Sequence, residues 1–167
     1  MTTGERMLRQ ENRIDMRRFT TCELAWSVAA GDAAAIPPLL RHLHAPVIAY
    51  CRARAQGVGV RRATDSETFA EADRLALEVC RTILAELAAP SGADRPFLRM
   101  AYSIAADAAD TRFRARSGGS LTRVQREVLI LRTLVGLDAR QTSVAMGIGV
   151  ERVTVAQHAA LTSLRAA

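Results

Sequence analysis

Side chains with contact chemistry gather in two places along this chain. Between positions 150 and 164 stand Arg152, Thr154, Val155 and His158. A guanidinium and an imidazole reach phosphates and base edges, a hydroxyl bonds to either, and a branched apolar group suits a thymine methyl. A second set, Arg99, Tyr102, Arg112, Phe113, Arg114 and Arg116, mixes cations for phosphate with planar groups for bases. An unpaired nucleic-acid strand needs that mixture. Tyr102 also has the helical spacing of a core residue relative to Phe97 and Ile104, and the core assignment is favoured for it. Covalent chemistry has no comparable constellation. No nucleophile stands beside a base, and there is no phosphate loop or metal-ligand spacing. The nearest acid to His158 is Glu151, seven residues away. His42 and His44 are two apart and would point in different directions on a helix. The chain reads as a non-enzyme that needs no cofactor.

The first set depends on a helix that presents it outward. Residues 121–167 read as three helices. Leu121 to Arg132 opens the unit, and Gly136-Leu137-Asp138 breaks it. Asp138 caps a short helix over Ala139–Met146, Gly147-Ile148-Gly149 turns, and Val150–Leu164 closes. Two short helices joined by a glycine turn form a helix-turn-helix, whose second helix enters the major groove. Val124, Val128, Leu131 and Val135 recur at intervals of three and four, as do Val153, Ala160, Leu161 and Leu164. Ala145 and Ile148 fall where the short helices approach closely, and Gly147 supplies a left-handed turn. The pattern alone fits a plain three-helix core segment equally well.

The second set closes an all-α stretch over residues 20–116. The spacing predicts helices over Cys22–Ala30, from about Asp32 to Gln56, over Ser66–Ala88, and from Pro96 onward. Pro37 and Pro38 place the start of the second helix near Pro38. Leu39, Leu40, Leu43, Val47 and Tyr50 give it one buried stripe, and Phe69, Leu75, Val79, Ile83 and Leu87 do the same for the third. Ser117 to Ser120 is a flexible linker composition. Residues 1–19 are arginine-rich without an apolar face and are expected to be disordered, with Met7 and Met16 as alternative starts.

At 167 residues the chain suits two small domains, each with a modest core. The net charge is +6, and all 23 basic residues are arginine. A positive balance fits a nucleic-acid binder, although the charge is spread along the chain. Residues 117–167 hold six arginines against three acids. Cys22, Cys51 and Cys80 lack paired spacing, which argues against disulfides and zinc and for free thiols in a reducing cytosol. No apolar run is long enough to span a bilayer, and no secretory leader is recognisable. A cytoplasmic protein without a membrane partner is expected.

The run Gln125-Arg126-Glu127-Val128-Leu129, with Leu131-Arg132, Val135-Gly136-Leu137 and Val155-Ala156-Gln157-His158, resembles region 4 of the sigma-70 family of RNA polymerase sigma factors. The small extracytoplasmic-function (ECF) group is most alike. Leu24, Val28-Ala29, Gly31-Asp32, Tyr50-Cys51-Arg52-Ala53-Arg54, Glu78-Val79-Cys80 and Arg95-Pro96-Phe97-Leu98 resemble region 2 of the same group. The resemblance implies two all-α domains, region 2-like over 20–116 and region 4-like over 121–167. It implies core RNA polymerase as a partner, docked on Asp73, Arg74, Leu77 and Glu78. It also implies promoter DNA, with the −35 element read by Arg152, Thr154, Val155 and His158. The melted −10 strand would be held by Arg99, Arg112, Arg114 and Arg116.

The chain departs from the family pattern at several contacts. Arg74 replaces an acid and Leu77 a glutamine on the docking helix. Asp107-Ala108 stands where the family carries Asn or His followed by Lys. Thr154 and Ala159 stand where it carries arginines. The linker, Ser117 to Leu121, reaches at most about 18 Å, where most relatives have tens of residues. These departures favour a second reading, a sigma-like regulator that no longer initiates transcription and binds DNA alone or an anti-sigma protein.

Overall fold

The computed structural model describes residues 20–57, 66–89, 95–113 and 120–166, and no strand occurs among them. The expected disorder of 1–19 and the linker residues 117–119 lie outside the described residues. The all-α class is as expected. We number the helices α1 (Thr21–Ala29), α2 (Ile36–Gln56), α3 (Ser66–Ala88), α4 (Phe97–Phe113), α5 (Arg123–Leu129), α6 (Ala139–Met146) and α7 (Val150–Arg165).

Local chemistry fixes the ends of these helices. Thr20 caps α1 in a reciprocal box with Glu23. Asp32 accepts from the Ala34 N–H at 3.0 Å, but it caps a 3-10 turn, Ala33–Ala35, rather than α2 itself. Helix α2 then begins at Ile36, ahead of Pro38. The prolines fit there because the first helical N–H groups need no intrahelical acceptor. Pro46 lies inside α2, and the helix continues through it. Burial of Leu43, Val47 and Tyr50 holds that segment despite the missing donor.

Leu39 and Leu43 of α2, Leu75, Val79 and Ile83 of α3, and Phe97, Met100 and Phe113 of α4 form one core with Leu24 and Val28 of α1. Phe69, expected inside, is only half-buried, and the Arg52 guanidinium covers its ring at 5.5 Å. Cys51 and Cys80 are buried thiols, whereas Cys22 is exposed. Burial and the neighbouring Cys80 push the Cys51 thiol up to about 12.

In the last third, Thr122 and Asp138 cap α5 and α6, each boxed by a glutamine three residues on. Gly136 (φ 84°) and Gly147 (φ 65°) make left-handed turns. The expected opening helix over Leu121–Arg132 is corrected. It is α-helical only to Leu129 and widens into a π turn over Ile130–Val135. The stripe expected along it divides accordingly. Val124 and Val128 meet Val153 and Ala156 of α7. Leu131 instead joins Ile130 in the core of α1–α4, with Val135 packed partly buried against it. Leu161 is 38% exposed rather than buried.

Glu127 is 1% exposed, and its carboxylate crosses from α5 to α2. It accepts from Tyr50 Oη at 2.8 Å and from Arg54 Nη1 at 2.6 Å. Arg54 also donates to Tyr50 Oη and to Asp110 of α4, and Arg123 of α5 donates to Asp110 at 2.6 Å. Burial, then the Glu127 charge, pushes the Tyr50 hydroxyl well above its usual range. Burial works against the Arg54 cation, but Tyr50 and Glu127 outweigh it and raise its pKa.

The Thr142 hydroxyl of α6 is fully buried and finds no hydrogen-bond partner among the described residues. Burying an unpaired hydroxyl costs roughly 1–3 kcal/mol by mutational measures. Thr142→Val keeps the shape and removes that group. Urea unfolding should show equal or higher stability, and a loss above about 1 kcal/mol would contradict the packing described.

Candidate nucleic-acid interface

Helix α7 is amphipathic across its width. Val153, Ala156 and Ala160 pack inward, which turns Arg152, Thr154, Val155 and His158 to solvent. Val155 is 68% exposed. The Thr154 hydroxyl bonds back to the Val150 carbonyl at 3.2 Å. The turn is fixed from behind, where the Ser143 hydroxyl donates to the Ile148 carbonyl at 2.6 Å. Val144 of α6 and Val150 at the head of α7 are also exposed. With Val155 they add apolar groups beside the cations, of the kind that meets thymine methyls. Sequence reasoning missed Val144 and Val150, and their only signal was an apolar residue on an otherwise polar face. Arg132 ties α7 to the turn before α6 by donating to Gln157 at 3.0 Å and to the Leu137 carbonyl at 2.8 Å.

The second set is scattered. Arg99 stands near the start of α4, exposed, with its guanidinium against the Gly147 turn. Tyr102 is half-buried and meets the Tyr50 ring edge-on at 6.2 Å, in line with a core role. Phe113 is buried. Arg112 lies 3.6 Å from both Glu71 and Glu78 of α3. Arg114 and Arg116 lie outside the described residues.

On α3, Asp73 takes two 2.7 Å hydrogen bonds from Arg52, and these hold its carboxyl below the ordinary range. Both partners are substantially exposed, so the pair contributes little to stability. Arg74 is exposed and donates back to its own helix, at the Ala70 carbonyl. Leu77 is 46% exposed. Arg52 and Glu71 are the neighbours that sequence reasoning passed over. Their partners come from other helices, so no local spacing announces them.

A helical chain whose last helix, set behind a glycine turn, points its polar face outward falls among the helix-turn-helix proteins. Comparison with known proteins narrows the class. No protein-family model matches the chain. The ECF RNA polymerase sigma factor SigD of Mycobacterium tuberculosis strain H37Rv is 36% identical, over 81% of this chain and 78% of its own length. The ECF RNA polymerase sigma factor ShbA of Streptomyces griseus is 31% identical, over 81% of this chain and 88% of its own. CnrH, solved in complex with the cytosolic domain of CnrY, shares the fold with a TM-score of 0.66 at 20% identity, covering 86% of this chain and 93% of CnrH. The chain belongs to the ECF RNA polymerase sigma factors, proteins of transcription initiation.

Gly147 gives a local test of this geometry. A Cβ there would sit 2.9 Å from the Arg99 Cζ, on a backbone with φ of 65°. The left-handed strain costs roughly 1–2 kcal/mol for an L-residue. The Arg99 end is flexible and can withdraw. Gly147→Ala should therefore lose about 1–2 kcal/mol in chemical denaturation, and adding Arg99→Ala should recover almost none of it.

Proposed function

We propose that this chain binds core RNA polymerase and directs it to promoters through two helical units, residues 20–116 and 121–167. The outward polar face of α7 carries the reading. Arg152, Thr154, Val155 and His158 enter the major groove of the −35 element, with Val144 and Val150 beside them. Arg99 and Arg112, with Arg114 and Arg116, hold the melted −10 strand. The exposed face of α3, with Asp73, Arg74, Leu77 and Glu78, docks on the polymerase. The relatives' shared description as RNA polymerase sigma factors supports both partners. An anti-sigma protein on the exposed helix faces belongs to the same proposal. The complex of CnrH with the cytosolic domain of CnrY supports such a partner by analogy of fold.

The second reading, a sigma-like regulator that has lost initiation, draws on two observations. Arg74 is exposed on the docking face, where a like charge across an interface is repulsive. The match to SigD also spans 172 positions, more than 81% of 167 residues can supply, so SigD carries residues within that stretch that this chain lacks. A shortened linker fits that difference.

Gel filtration with core polymerase at micromolar concentration separates the readings. Co-elution is expected, with tighter binding by Arg74→Asp. A chain that shifts duplex DNA but never co-elutes with core would establish the second reading. On promoter DNA, Arg152→Ala should weaken binding by about 1–3 kcal/mol. It should also reduce the salt slope of binding by about 0.9 if Arg152 meets phosphate.

A further inference from the structure

A largely apolar cavity of about 350 Å³ lies between α2, α4, α6 and the π turn, and none of the proposed promoter and polymerase contacts uses it. Two departures from the regular α-helix form part of its wall. Pro46 stands inside α2, and Leu131 and Val135 come from the π turn. A proline inside a helix is costly, and π turns recur at functional sites. Pro46 also has a definite chemical consequence. In a regular helix the N–H of residue 46 would donate to the carbonyl of residue 42, and proline has no N–H. His42 and Pro46 both line the cavity. The His42 carbonyl is therefore an acceptor at the cavity wall to which the helix brings no donor at position 46. Gln141 of α6 supplies a donor to the same cavity. Its Oε1 accepts from the Asp138 N–H at 2.8 Å, which leaves the amide NH2 to donate. The rings of Phe97 and Tyr102 add flat apolar wall.

We propose that this cavity is a binding site for a compact, flat, uncharged molecule of roughly two fused rings that carries one N–H or O–H donor for the His42 carbonyl. The proposal goes beyond the promoter reading and does not rest on it. Size sets the first limit. An apolar cavity of about 150 Å³ accommodates benzene, so about 350 Å³ has room for roughly two fused rings. Charge sets the second. Among the described residues no arginine lines the cavity, so a phosphate or carboxylate would lose its hydration without a counter-charge. Water is a poor occupant as well, because it finds few partners along such walls and apolar cavities take apolar guests instead. The polar groups then fix orientation: the donor goes to His42, and an acceptor on the guest can take the Gln141 amide.

The test titrates the full chain by NMR with indole, which has the N–H, and with benzofuran, which has nearly the same shape without it. Indole should bind with a Kd below about 1 mM, as a compact guest in a close-fitting site does. It should bind about fivefold more tightly than benzofuran, the usual worth of one neutral hydrogen bond. Pro46→Ala restores the helical N–H to the His42 carbonyl and should bind the two molecules equally. Ala101→Leu and Leu98→Trp enlarge side chains that line the cavity and should abolish binding of both. Circular dichroism identifies the folded variants, and if one filling variant fails to fold, the other decides. Cys22 is exposed and also lines the cavity, so indole should slow its alkylation by iodoacetamide several-fold in wild type and not in a filled variant. Failure of both molecules to bind wild type at millimolar concentration would overturn the site, as would binding that survives cavity filling or leaves Cys22 unprotected. Equal binding of the two by wild type, or a preference that persists in Pro46→Ala, would overturn the donor's place at His42.

Discussion

The ion pair between Arg54 and Glu127 is the constraint around which this structure is arranged. Both side chains are removed from water, at 3% and 1% exposure. Two charges so placed lose several kcal/mol of hydration each, and mutual attraction offsets this only when the remaining donors and acceptors are satisfied. Here they are, through Tyr50 on one side and Asp110 on the other. Such a pair is roughly neutral against an apolar replacement of the same shape, yet losing one partner typically costs about 3–5 kcal/mol. It therefore adds little raw strength. Its contribution is register: α5 fits α2 in the one position where Glu127 meets its donors.

That register explains the irregular path of the chain through α5. Val128 must face α7, while Ile130 and Leu131 must face α2. A regular α-helix advances 100° per residue and cannot point successive apolar groups at two cores for long. The π turn over Ile130–Val135 resets the phase at that point. Because the inner side of α7 is used by Val128, its polar side is left to solvent. The outward polar face of α7 thus follows from packing decided two helices earlier.

Much of this was legible in the sequence. Ser66–Ala88 and Ala139–Met146 are bounded where the spacing places them, and Asp138 and Gly147 do the capping and turning that their chemistry suggests. These features are local, carried by periodicity and by a cap or left-handed residue within a few positions. What escaped was non-local. Glu127 stands in a run of ordinary helix formers, and nothing there signals a partner 73 residues earlier. The π turn was hidden because a single stripe accounts for Val124 through Val135 equally well. Arg112 looked free for phosphate until α3 placed two carboxylates beside it.

The case of Arg112 shows how to sort the arginines of a chain in which every basic residue is one. Availability to a phosphate depends on what must be given up. Arg54 would leave a carboxylate unpaired in the interior, so it is held. Arg112 is 44% exposed, and its contacts at 3.6 Å are long. Exposed pairs of that kind are worth about 0–1 kcal/mol and are screened by salt. Release of condensed counterions from DNA rewards each cation that reaches a phosphate. A polyanion therefore competes well for Arg112 and poorly for Arg54. Removing Arg112 from Glu78 would also free that acid on the α3 face. The exposed α4 face around Arg112 and the α3 face around Glu78 are in this way linked through one exposed guanidinium, and an anion that takes Arg112 changes the charge presented by the α3 face.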